Sequence, residues 1–180
     1  MPVRRVFLWL SVTLLWLGVP SQALAVTSAV HHRAACTITG TSGPDAITGT
    51  TGDDVICGLG GRDVIKARSG ADIVYGGPGN DTIFGGGGDD TLYGGGDRDL
   101  VRGLGGDDHV FGGTASDFPL TGDFGSDVVN GGPGNDVCVS GLDEVGGNDT
   151  VIGGPGVDHY ELDPGDAHSS AEIAGFCIGE

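Results

Sequence analysis

Aspartates at Asp45, Asp54, Asp63, Asp72, Asp81, Asp90, Asp99, Asp108 and Asp117 stand nine residues apart without a slip. Asp127, Asp136, Asp149 and Asp158 follow after steps of ten, nine, thirteen and nine. A single aspartate beside glycine is usually a turn residue bonding to its own backbone. Nine in one register ask for a shared role. Carboxylates are oxygen ligands for hard cations. Sites built only from oxygen in flexible loops select calcium over zinc or copper. Magnesium fits less well, because it demands octahedral geometry and keeps its waters.

The aspartates are set in a nine-residue unit. Gly76 to Tyr93 reads Gly-Gly-Pro-Gly-Asn-Asp-Thr-Ile-Phe and then Gly-Gly-Gly-Gly-Asp-Asp-Thr-Leu-Tyr. The sixth position is the aspartate. The fourth is usually glycine, as at Gly61, Gly79 and Gly106, with Asp97 as a substitute that tolerates the left-handed region. The eighth is apolar: Ile47, Ile56, Ile65, Val74, Ile83, Leu92, Val101, Val110, Val129, Cys138 and Val151. One inward aliphatic per three-residue strand lines a thin core. Two units make a coil of 18 residues, and coils stack about 4.8 Å apart, the spacing of paired strands. This predicts two parallel sheets facing each other. Strands centred on Ile47, Ile65, Ile83 and Val101 form one, and those centred on Ile56, Val74, Leu92 and Val110 the other. Stacking places Asp45, Asp63, Asp81, Asp99 and Asp117 in one column and Asp54, Asp72, Asp90 and Asp108 in a second. Like charges at that spacing repel unless a cation sits among them.

These residues, from about Gly40 to Glu161, resemble the repeats-in-toxin (hemolysin-type) calcium-binding repeat. The resemblance implies an all-β fold, a parallel β-roll, which is a right-handed solenoid. It also implies that the sixth-position aspartates and turn carbonyls of neighbouring coils share several Ca2+ ions. The metal ligands would be Asp45, Asp54, Asp63, Asp72, Asp81, Asp90, Asp99, Asp108, Asp117, Asp127, Asp136, Asp149 and Asp158. Three places depart from the pattern. Pro119 stands where an inward aliphatic belongs after Asp117, an insertion with Asp143 and Glu144 precedes Asp149, and Ala67-Arg68 replaces the opening glycines before Asp72. Many relatives attach the roll to a protease, lipase or toxin domain; with residues 26–39 and 162–180 read as caps, none is expected within these 180 residues.

Composition agrees. The chain has 180 residues with 38 glycines, and 25 acidic residues against 8 Lys and Arg give a net charge of -17. Glycine at that density opposes helix, and the charge disfavours nucleic acid and anionic membrane as partners. Without cations such a chain is expected to be disordered, so that metal binding supplies folding energy.

Residues 1–25 read as a cleaved secretory signal: Arg4 and Arg5, an apolar run from Val6 to Val19, then Ala23 and Ala25 in an A-x-A arrangement. The run is too short to span a membrane comfortably, and an extracellular protein without stable membrane insertion is expected. Residues 26–39 form an N-terminal cap, 40–161 the roll, and 162–180 a C-terminal cap or tail. Export makes disulfides reasonable among Cys36, Cys57, Cys138 and Cys177. Of three connectivities, Cys36–Cys57 with Cys138–Cys177 would staple one end each.

Ninth-position residues point outward, so Tyr75, Tyr93 and Phe111 should stack in a column. That column either braces the strands or serves as a weak partner-binding strip. The second role would make the protein an extracellular adhesion or matrix protein that binds a glycan or protein, with calcium purely structural. No H-E-x-x-H, G-x-S-x-G or P-loop is present, and no catalytic residue is assigned. The reading is therefore a calcium-binding protein and not an enzyme. Turnover of an acidic polysaccharide on the solenoid face is the weakest alternative.

Overall fold

The computed structural model describes residues 35–136, 139–140, 147–161 and 167–169. The signal, Cys138, Cys177, Asp143 and Glu144 lie outside them.

The described residues form two parallel sheets and no helix. One is built in order from β1 (Ile38–Thr39), β3 (Val55–Cys57), β5 (Ile73–Pro78), β7 (Thr91–Gly96), β9 (His109–Thr114), β11 (Val128–Asn130), β13 (Thr150–Ile152) and β15 (Ala167–Ser169). The other runs β2 (Ala46–Thr48), β4 (Val64–Ser69), β6 (Thr82–Gly87), β8 (Leu100–Gly105), β10 (Leu120–Phe124), β12 (Val139–Ser140) and β14 (Tyr160–Glu161). They are called the odd and even sheets below. The chain alternates between them, so it is a β-solenoid of about six turns, as a β-roll requires. The strand assignment to the two sheets is the one the 18-residue coil predicts.

The core is one column of aliphatics per sheet. Ile56, Ile65, Val74, Ile83, Leu92, Val101, Val110, Val129 and Val151 are all sealed from solvent. Each sits directly over its counterpart in the next coil, as in Ile65↔Ile83↔Val101. Burying a side chain of this size contributes about 1.5–3 kcal/mol, which is modest for a glycine-rich chain.

Two local expectations are corrected. From β4 to β9 the strands are six residues long, not three. The ladder between coils continues through the opening residues of the next turn, pairing Gly77 with Gly95 and Gly86 with Leu104. Secondly, Leu120, not Pro119, takes the inward place after Asp117. It is fully buried and pairs with Val101. The extra residue of that step is absorbed at Phe118-Pro119, whose peptide bond is cis, and the apolar column remains unbroken.

The turns use the left-handed region twice. The fourth position does so as expected, at Gly79 (φ 129°) and at Asp97 (φ 70°). A Cβ on Gly79 would run into the Gly61 carbonyl of the coil before. The second position does so too. Leu59, Arg68, Leu104 and Asp123 occupy it with φ between 72° and 91°. Neighbouring coils impose this geometry, at about 1–2 kcal/mol for a residue with a Cβ.

Candidate metal centre

Each sixth-position aspartate from Asp63 to Asp108 does two things through its backbone and one oxygen. Its N–H donates to Oδ1 of the aspartate one coil on: Asp63 to Asp81, Asp72 to Asp90, Asp81 to Asp99, Asp90 to Asp108 and Asp99 to Asp117, each at 2.8 Å. Its carbonyl accepts from the first strand residue of that coil, as Asp63 does from the Thr82 N–H. Oδ1 is thus committed to holding the stack together.

The columns run further than the nine-residue beat implies. Asp108 donates to Asp127 at 2.7 Å, Asp117 to Asp136 at 2.9 Å, Asp127 to Asp149 at 2.8 Å and Asp136 to Asp158 at 3.0 Å. The steps of ten and thirteen therefore leave the register of the columns intact. Asp117, Asp149 and the turn opened by Ala67-Arg68, which the sequence marks as departures, all stack like the others.

The second oxygen is the unusual one. Oδ2 of Asp63, Asp72, Asp81, Asp90, Asp99, Asp108, Asp117, Asp136 and Asp158 is buried and has no hydrogen-bond donor. A buried carboxylate oxygen without a partner is costly and calls for an ion or its equivalent. The surroundings raise the cost. Burial pushes the carboxyls of Asp99 and Asp108 up to about 8, and like charge from the aspartates one coil away adds to it. Asp117 is pushed to about 7, and Asp81, Asp90 and Asp136 to about 6, by the same main cause.

The first glycine of each turn leaves a cradle beside Oδ2. A Cβ on Gly76 would lie 2.6 Å from Asp81 Oδ2 and 2.6 Å from the carbonyl oxygen of Gly94, one coil on. The same pair flanks Gly58, with Asp63 Oδ2 and Gly76 O each at 2.5 Å, and Gly94, with Asp99 Oδ2 at 2.5 Å and Gly112 O at 2.6 Å. A carboxylate oxygen and a carbonyl oxygen thus share one bare stretch of backbone, repeated coil after coil. Among the described residues, no three His, Cys, Asp or Glu side chains converge on one point. Backbone carbonyls such as that of Gly94 are the other oxygens that the turns offer a cation there. An oxygen-only set with one carboxylate per turn fits calcium and not zinc.

The first coil is different. Asp45 Oδ2 accepts from the Thr41 N–H at 2.6 Å and its hydroxyl at 2.9 Å. Asp54 Oδ2 accepts the matching pair from Thr50, at 2.7 and 2.9 Å. These bonds hold the Asp54 carboxyl below its ordinary range. Thr41 and Thr50 sit at the second position, where other turns have glycine, leucine, arginine or aspartate. Sequence reasoning passed over them, although Gly-Thr-x-Gly in place of Gly-Gly-x-Gly was the signal.

The fifth position was also passed over. Its side chains accept N–H groups in the opposite direction along the stack: Asp53 from Ala71 at 2.9 Å, Asn80 from Arg98 at 3.2 Å and Asp89 from Asp107 at 3.0 Å. They form an exposed ladder outside each buried one.

The remaining predicted residues fall as follows. Cys36 and Cys57 are bridged, with Cα atoms 5.9 Å apart. The Tyr75, Tyr93 and Phe111 rings stack at 5.0 and 4.9 Å with their planes nearly parallel.

In comparison with known proteins, the family model of the RTX calcium-binding nonapeptide repeat (four copies) matches residues 37–65, 66–101, 84–119, 120–144 and 146–166. No curated protein and no solved structure matches the chain.

Proposed function

The chain belongs to the RTX calcium-binding nonapeptide repeat family, and from that premise we propose that it is a secreted protein whose roll folds as calcium enters the two aspartate columns. Calcium binding by a β-roll is the family's property. Export, and the coupling of calcium to folding, are the further step. The observation that carries this reading is the file of buried, donorless Oδ2 atoms beside turn carbonyls. When bound, calcium supplies the positive charge that those carboxylates lack.

Oδ2 of Asp63, Asp72, Asp81, Asp90, Asp99, Asp108, Asp117, Asp136 and Asp158 would hold the ions, with Asp127 and Asp149 in the same register. Asp45 and Asp54, saturated by Thr41 and Thr50, are better read as the closed end of each column. Oδ1 of the aspartates from Asp63 onward, each accepting the N–H of the aspartate one coil before, keeps the coils in step whether or not metal is present. The chain's own charge opposes collapse until cations arrive. Extracellular calcium modules work at about 0.1–1 mM, which suits a chain that stays open during export and closes outside.

The aromatic column gives the adhesion reading less support, because its rings cover one another and that contact braces strands.

Far-UV circular dichroism during a calcium titration, with magnesium as control, tests the proposal. A cooperative coil-to-strand transition near millimolar calcium, absent with magnesium, is expected. A chain already folded in chelator at neutral pH would overturn the coupling of calcium to folding.

A further inference from the structure

The few cations of this acidic chain are gathered on one side of it. Beyond the first 34 residues the Lys and Arg are Arg62, Lys66, Arg68, Arg98 and Arg102. Lys66 and Arg68 lie on β4 and Arg102 on β8, while Arg62 and Arg98 lie in the turns leading into those strands. The odd sheet has none, and its turns carry Asp53, Asp89 and Asp107 instead.

On the even sheet the register lines these residues up. One row across the strands is Lys66, Phe84, Arg102 and Thr121, and the row beside it is Arg68, Gly86, Leu104 and Asp123. Arg102 is spoken for, since its guanidinium forms a two-pronged pair with Asp123 at 2.7 and 3.0 Å. Lys66 and Arg68 are exposed, and neither makes an ion pair among the described residues. They border a shallow hollow of about 380 Å3 formed with Phe84, Gly85, Gly86 and Leu104. Phe84 differs from the odd-sheet aromatics in stacking on no other ring among the described residues. Phe84 is half-buried, with Lys66 and Arg102 on either side of it in its own row.

We propose that this hollow binds an acidic oligosaccharide, with Lys66 and Arg68 holding sugar carboxylates and the Phe84 ring receiving the apolar face of a sugar. The combination decides the ligand class. Two neighbouring unpaired cations suit an anion, while the ring and Leu104 suit a body with apolar faces, which free phosphate lacks. Acidic sugars alternate the two at the scale of one residue. A bilayer or a nucleic acid is a broader anionic surface. A chain with net charge -17 repels such an extended surface more strongly than a short oligosaccharide. A single sugar strand lying along the hollow meets only the local cations. This inference requires a folded roll and not that the roll be secreted.

The test is fluorescence anisotropy of labelled tetragalacturonate against the full chain in saturating calcium. Comparators are a neutral tetrasaccharide, vesicles of phosphatidylserine in phosphatidylcholine, and a single-stranded oligonucleotide. Circular dichroism of each sample separates failure of the roll to fold from failure of the folded roll to bind. Tetragalacturonate should bind and the comparators should not. Lys66→Glu with Arg68→Glu should weaken binding roughly tenfold or more, the size expected for losing a charge-assisted contact. Phe84→Leu, which keeps apolar bulk, should weaken it as well, while Tyr93→Ala should leave it unchanged. Lack of binding by the folded chain would overturn the proposal. So would binding that survives the double charge reversal, because calcium would then be bridging sugar and roll. Preference for vesicles or the oligonucleotide would place the ligand in another class and overturn it equally.

Discussion

Replacing Asp90 by asparagine should have opposite effects with and without calcium. The side chain is 2% exposed, and its Oδ1 accepts the Asp72 N–H at 2.8 Å. Asparagine keeps that acceptor and the volume, so the ladder survives. It removes the charge at Oδ2, beside the Gly103 carbonyl. Burial pushes the Asp90 carboxyl from 3.8 up to about 6. Above pH 6 the metal-free fold therefore bears about 3 kcal/mol for this one charge, at about 1.4 kcal/mol per pH unit. In chelator at pH 8, folding driven by a stabilising osmolyte should need less osmolyte for Asp90→Asn than for the parent, by an amount that corresponds to about 3 kcal/mol. In calcium, the same change deletes a ligand. The calcium midpoint of folding should rise about tenfold or more, since tenfold is only about 1.4 kcal/mol. Circular dichroism reads both arms. A variant that moved stability the same way in both would refute the reasoning, for Oδ2 would then be a structural group and not a cation ligand.

Three further expectations follow from the same geometry. Gly76→Ala places a methyl against Asp81 Oδ2 and the Gly94 carbonyl, each 2.6 Å away, and should cost about 1–3 kcal/mol in calcium, read as a lower thermal midpoint. Acid should substitute for calcium in chelator. The folded carboxyls of Asp99 and Asp108 are raised to about 8, above their unfolded range, so the folded chain binds more protons. Stability is then fullest below about pH 4 and is lost as pH rises through 8, so strand signal in chelator should grow from pH 8 down to 4.5. Replacing Cys36 and Cys57 by serine opens a link of sequence separation 21 and should cost about 3 kcal/mol on the chain-entropy account, measured by denaturant midpoint in calcium, with faster hydrogen exchange at Ile38 and Ile56.

The sequence by itself determined the period, and the period determined a great deal. Asp63, Asp81 and Asp99 must share an edge, Ile65, Ile83 and Val101 must share a core, and Tyr75, Tyr93 and Phe111 must stack, because an 18-residue coil leaves those residues no other register. The Cys36–Cys57 bridge was legible for a similar reason, one cysteine standing just before the first coil and the other ending an early strand.

Other features belong to the tertiary structure. Only stacking reveals that Oδ1 is consumed by the backbone of the neighbouring coil while Oδ2 is left over. Two side-chain oxygens of one residue look alike in a sequence. The roles of Thr41 and Thr50 depend on the carboxylate four residues on turning back toward them. Leu120 displaced Pro119 because the core selects the residue that fills the inward place, not the one that keeps count. The long step before Asp149 kept its column because the hydrogen bond from Asp127 fixes the register wherever the extra residues go. The gathering of cations around Phe84 is likewise invisible along the chain, where Lys66 and Arg102 stand 36 residues apart. Parallel pairing through β6 brings them into one row, since a solenoid converts sequence distance into two steps of a strand spacing.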